Sequence, residues 1–205
     1  MNLNKHPGKL YIISGPSGAG KGTIAGRILE ETELQFSVSM TTRKPRGGEI
    51  DGVHYYFVTE EEFVDNIGQG GFLEHAQVYG NRYGTPKGPI LEKLEAGIDV
   101  LLDIEMQGAL QVKENYPDGV FIFIVPPSMA ELRKRLTGRG TETQEAIEMR
   151  LGQTLKELTY VDKYDYLVVN GDLEEAVNRV KAIITAEHSK VTITPEELVK
   201  EYTEE

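Results

Sequence analysis

The stretch Leu10-Tyr-Ile-Ile-Ser-Gly-Pro-Ser-Gly-Ala-Gly-Lys-Gly-Thr23 decides the fold. It begins as a short apolar, β-branched run and continues as a glycine-rich loop, with a helix predicted to start near Lys21. Strand, loop and helix in that order make a phosphate cradle. Glycines let successive backbone N–H groups curve round a polyphosphate, and the helix N-terminus adds positive potential. The lysine ammonium reaches the terminal phosphates. Residues Gly15, Pro16, Ser17, Gly18, Ala19, Gly20, Lys21, Gly22 and Thr23 are therefore expected to line a phosphate site, with Lys21 stabilising charge on a transferred phosphoryl group. The hydroxyl that usually follows the lysine is displaced by one position. Gly22 stands there, and Thr23 either supports a Mg²⁺ shell or bonds its own first-turn backbone.

Outward from this loop, short apolar runs alternate with amphipathic stretches. Residues 98–104, Val120–Val125 and Tyr166–Val169 read as strands buried on both faces, as in a parallel sheet. Helix starts are marked by Thr59 with Glu62, by Ser128 with Glu131, by Asp172, and by Thr194 with Glu197. Thr85-Pro86 reads as a further start, with proline at the first helical position. The alternation predicts an α/β fold, a mostly parallel sheet flanked by helices. Two segments interrupt it. Residues 36–84, rich in Gly, Tyr, Ser and Thr, read as an inserted small α+β subdomain, and residues 138–147 as a mobile polar flap.

The 205 residues suit one domain, and 22 basic against 33 acidic residues give a net charge of −11. That field repels nucleic acid and anionic membranes, so a phosphate ligand needs a local cluster of cations. The absence of cysteine excludes disulfides and thiolate chemistry. No apolar run is long enough to span a bilayer, and the expectation is a soluble, cytoplasmic protein with no obligate protein partner.

Several other residues carry chemistry. Arg43 and Arg46 flank Lys-Pro in a loop that cannot continue as helix, and their forks match phosphate oxygens. The Tyr55 and Tyr83 hydroxyls are candidate donors to the same phosphate, or core groups. Glu74 lies among apolar neighbours; one carboxylate edge can accept both N1–H and N2–H of guanine, which adenine does not offer. Asp103, at the end of an apolar run, is placed to hold Mg²⁺ water ligands or to cap the next helix, and Glu105 is one strand step further on. Arg135, Arg139 and the later Arg150 border the flap and are positioned to close over phosphates. The four histidines show no metal-ligand spacing.

Together these pieces resemble guanylate kinase of the bacterial type. The resemblance is carried in order by residues 13–23, 37–46, 51–57, 83–85, 102–108, 135–142 and 169–170, and covers about residues 8–187. It implies Mg²⁺-dependent transfer of the ATP γ-phosphoryl group to GMP, and to dGMP, directly and in line. It implies that Arg43, Arg46, Tyr55 and Tyr83 hold the GMP phosphate, and that Ser39, Glu74, Thr85 and Glu105 read guanine. Arg135, Arg139 and Arg150 become lid arginines on ATP, with Lys21 and Arg43 beside them in catalysis, and Asn170 a contributor to the adenine pocket. It also implies a core (about 1–35, 86–137 and 150–190), a GMP-binding subdomain (36–85), a lid (138–149) and a tail (189–205). A kinase for AMP or UMP would share the loop but need no Glu74 with Ser39. A silent interaction module would not need Lys21 and the arginines.

Overall fold

The computed structural model describes residues 7–78, 80–138 and 143–203. Its centre is a five-stranded parallel sheet in the order β2-β7-β1-β8-β9. These strands are β1 (Leu10–Ser14), β2 (Gln35–Phe36), β7 (Val100–Asp103), β8 (Val120–Val125) and β9 (Tyr166–Val169). β1 is buried along its whole length, and strand alternation sends its side chains to two cores. Tyr11 and Ile13 pack with Ile24 and Ile28 of α1 (Lys21–Glu31) and with Val177 and Val180 of α7 (Leu173–His188). Leu10 and Ile12 pack on the other face with Ile90 and Leu94 of α3 (Lys87–Glu95) and Val112 of α4 (Met106–Asn115). Each such side chain removed from water is worth about 1.5–3 kcal/mol, so the loop after β1 is anchored on a rigid strand.

A second, four-stranded sheet has the order β4-β3-β6-β5, with β3 (Met40–Thr41), β4 (Tyr56–Phe57), β5 (Phe72–Val78) and β6 (Asn81–Pro86). β5 and β6 pair antiparallel, with a register shift between Phe72 and Glu74. The helix α2 (Glu60–Gly68) starts at a full Thr59–Glu62 capping box, and its Phe63 stacks on Phe72 at 4.4 Å between centroids. A third cluster joins Leu132 and Leu136 of α5 (Met129–Gly138) to Ile147 and Leu151 of α6 (Gln144–Leu158). The terminal helix α8 (Pro195–Thr203) opens on the expected Thr194–Glu197 box, and Asp172 caps α7.

Four expectations are corrected. The helix read from Thr85-Pro86 is present as α3 but begins one residue later: Thr85 and Pro86 end β6, where Phe72 pairs with Pro86 and Glu74 with Thr85, so Pro86 is the N-cap of α3 and not its first residue. Phe36 belongs to the central sheet, where β2 pairs with β7, and not to an insert. β9 is not buried on both faces: as an edge strand it leaves Leu167 53% and Val169 39% exposed. The flap expected over 138–147 is helical from Gln144, where the Thr143 hydroxyl accepts the Ala146 N–H, so a lid boundary at 149/150 falls inside α6.

Candidate active site

The loop after β1 turns at three glycines with positive φ: Gly15, Gly18 and Gly20 at 143°, 88° and 92°. At Gly15 and Gly20 the requirement is also spatial. A Cβ would lie 2.0 Å from the Ile124 carbonyl oxygen and 2.3 Å from Asn170 Nδ2, respectively. The N–H groups of Lys21, Gly22 and Thr23 open α1 and have no intrahelical acceptor, so they face out of its N-terminus. Lys21 folds back over the loop, its Nζ donating to the carbonyls of Gly15 (2.6 Å) and Pro16 (3.3 Å). Burial lowers its pKa, opposed by Asp103, Glu157 and Glu105.

Beside Lys21 is a cavity of about 400 Å³ lined by Gly15, Ser17, Lys21, Glu105, Met106 and, from α6, Arg150, Gln153, Thr154 and Glu157. Arg150 Nη1 donates to Ser17 Oγ at 2.5 Å. Sequence reasoning singled out Arg150 but missed Gln153, Thr154 and Glu157. Their spacing of three, four and seven from Arg150 marks one helix face and was the available signal. Burial raises the Glu157 pKa, against Gln153 and Lys21.

Asp103 ends β7, half-buried, its carboxyl pushed up by burial and drawn back by Lys21. Glu105 is not a further strand step: β7 has ended, and Glu105 is the N-cap residue of α4, without a side-chain capping bond. A Cβ at Gly22 would sit 3.5 Å from Asp103 Oδ2, whereas Thr23 is exposed and shares no hydrogen bond with Asp103. Among the described residues, no group of three or more Asp, Glu or His is arranged to hold a metal ion by itself. The carboxylate at the loop suits Mg²⁺ held largely through its own waters. Thr23 is not brought to that carboxylate.

Arg135 donates through Nε to Glu131 (3.1 Å) and through Nη2 to the Asn170 carbonyl (2.9 Å). Asn170 is 5% exposed, and its Nδ2 donates to the Ala19 carbonyl at 2.8 Å. Asn170 thus holds the loop to the end of β9 through its Nδ2. Arg139 lies outside the described residues.

The second sheet gathers the other candidates. Arg43 lies 5.4 Å over the Tyr55 ring, which meets the Tyr83 ring edge-on at 6.1 Å. Arg43 is also paired with Glu49 at 2.8 Å, and Arg46 is exposed two residues before a positive-φ Gly48. Ser39 is half-buried just before β3, its carbonyl accepting the Tyr56 N–H at 2.9 Å. On β5, Glu74 Oε1 accepts the Thr85 hydroxyl at 2.6 Å. Burial raises the Glu74 pKa, with Thr85 pulling the other way. Glu74 packs against α4: a Cβ at Gly108 would come within 3.2 Å of its Oε2.

The family model for guanylate kinase matches residues 7–187. The chain belongs to the guanylate kinase family. The guanylate kinase of Clostridium acetobutylicum is 53% identical over 184 residues, covering 90% of this chain and 88% of the relative. That of Clostridioides difficile is 50% identical over 199 residues, covering 97% of each. Among solved structures, guanylate kinase from Anaplasma phagocytophilum matches with a TM-score of 0.70 at 37% identity, covering 93% of this chain and 91% of that one. Guanylate kinases form a family of transferases that phosphorylate GMP with ATP. No helix among the described residues is long and apolar enough to cross a membrane.

Proposed function

We propose that this guanylate kinase moves the ATP γ-phosphoryl group to GMP, and to dGMP, in one in-line displacement. An oxygen of the GMP phosphate attacks the γ-phosphorus as the bond to the β-phosphate bridging oxygen breaks, and ADP leaves. The observation that carries the reading is Glu74, half-buried, anchored by Thr85 and lying against Gly108 of α4, with Lys21 lining a cavity at the start of the same helix beside Glu105 and Met106. No covalent acceptor is needed, since such transfers rest on positioning and charge neutralisation.

In this reading the open N–H groups of the loop and of α1 grip the ATP phosphates. Lys21 leaves the Gly15 and Pro16 carbonyls to neutralise charge on the transferring group. Arg150, already on Ser17, and Arg135 follow the same phosphates, with Arg139 assigned there from the sequence. Arg43, Arg46, Tyr55 and Tyr83 seat the GMP phosphate. Glu74 and Thr85, with Ser39 and Glu105, read the base. Mg²⁺ bound beside Asp103 would neutralise phosphate charge between donor and acceptor. Asp103 would hold water ligands of that ion, and it favours the charged form of Lys21 against burial.

An ATP-dependent assay of ADP release across GMP, dGMP, AMP, UMP and CMP tests the proposal. Turnover is expected with GMP and dGMP and near background with the others. Equal use of AMP would remove Glu74 as the reader of the base.

A further inference from the structure

Pro45 breaks any helix through Arg43-Lys-Pro-Arg46, so the two arginines need another support. Glu49 provides it. Its Oε1 accepts Arg43 Nη2 at 2.8 Å, and its Oε2 accepts Arg43 Nη1 at 3.0 Å and the Arg46 backbone N–H at 2.7 Å. The Glu49 N–H donates back to the Arg46 carbonyl at 3.1 Å, closing a turn that Gly48 allows with φ of 85°. One carboxylate therefore fixes a side chain and a backbone three residues apart.

The clamped guanidinium has little freedom left. Nη1 also donates to the Lys44 carbonyl at 2.8 Å, the Tyr55 and Phe57 rings lie 5.4 and 5.8 Å from its centre, and the Tyr83 hydroxyl supports its charge. The hydrogen bonds to Glu49 and Lys44 take both Nη1 hydrogens and one on Nη2, which leaves the Nε–H and the second Nη2–H to be shared between the Tyr83 hydroxyl and a further acceptor. The pair is half-buried, its two side chains 13% and 19% exposed. Its value lies in fixing a donor before the ligand arrives, which removes an ordering cost from binding.

We propose that Glu49 is a positioning residue of the GMP-phosphate seat, holding Arg43 and the Arg46 backbone so that their remaining donors converge with the Tyr55 and Tyr83 hydroxyls on one phosphate. The inference rests on the assignment of that seat to GMP. The test is steady-state kinetics of the full chain carrying Glu49→Gln, with Glu49→Asp beside it. Glu49→Gln is expected to raise KM for GMP roughly tenfold, while kcat and KM for ATP stay within about twofold. Glu49→Asp, which keeps the charge, should recover part of that loss. Guanosine, which lacks the phosphate, should inhibit both variants and the parent chain equally.

An unchanged KM for GMP would overturn the inference, and so would a lowered one, which would make Glu49 a competitor of the phosphate. Guanosine and GMP weakened alike would also overturn it, since the loss would then be a general loosening of the pocket. A parent chain inactive on GMP would overturn the substrate reading together with this one. An active parent with an unmoved KM strikes only Glu49.

Discussion

Burial lowers the pKa of the Lys21 ammonium, while Asp103, Glu157 and Glu105 act to keep it charged. Lys21→Ala should therefore remove a cation poised against developing negative charge, with a loss in kcat of about 10²–10³-fold and an unchanged far-UV circular dichroism spectrum. Glu74 presents the opposite case. Its folded pKa lies above the ordinary carboxylate value, mainly through burial. The proton is thus held more tightly in the folded chain, and its contribution to stability is full at low pH and lost as pH rises through the folded value. Glu74→Gln should melt above the parent chain at pH 7, the gap closing below about pH 4. The same change should raise KM for GMP about 10- to 100-fold, because an amide N–H₂ would face guanine donors. Calorimetry and kinetics on one preparation check both halves. At this scale the positive-φ glycines of the loop could be foreseen from the sequence, and Lys21, Arg43, Glu74 and Asp103 stood out as candidates because each residue type suits one chemistry. The loop-holding bond of Asn170 was not legible, since its partner, the Ala19 carbonyl, is 151 residues away in the chain.

Elements show the same division between local and distant causes. β8 and β9 were readable from apolar runs, and the starts of α2, α7 and α8 from their capping residues, all of which are local signals. β6, Asn81-Arg-Tyr-Gly-Thr-Pro86, has none of them; it is a strand because β3 and β5 pair with it on either side. β2 is two exposed residues held by β7. The join of α5, β9 and the phosphate loop is likewise visible only in three dimensions: Arg135 donates to the Asn170 carbonyl, and the Asn170 side chain to Ala19. Asn170→Ala would leave the Ala19 carbonyl without this partner, at a cost of about 1–3 kcal/mol. The expected outcome is a melting point lower by about 2–10 °C. KM for ATP should rise while KM for GMP hardly moves, which steady-state kinetics would read.

Across the whole molecule, the far end of the central sheet is closed by Glu187 of α7, 3% exposed. It binds Lys9 at 3.3 Å, the Tyr166 hydroxyl at 2.5 Å and Lys190 at 2.5 Å, joining the entry to β1 with β9. Burial pushes its pKa up, but Lys190, Tyr166 and Lys9 together bring it below the usual value. Its contribution is therefore present at neutral pH and lost as pH falls through the folded pKa. Glu187→Gln should lower the melting point at pH 7 and differ little from the parent chain below about pH 3, with kcat unaffected, because this end lies away from Lys21. The parallel sheet was legible in the alternation of runs. How the second sheet meets it was not, because that depends on β5 lying along α4, with Leu73 in the core beside Ala109 and Val112, Asn115 donating to the Leu73 carbonyl, the His75 N–H on Gln111 and Glu74 against Gly108. A methyl group at position 108 would press on the Glu74 carboxylate. With Glu74 as the proposed reader of the base, preference among purines becomes open to drift through a residue that carries no polar side chain, a lone hydrogen on α4 giving that carboxylate its room.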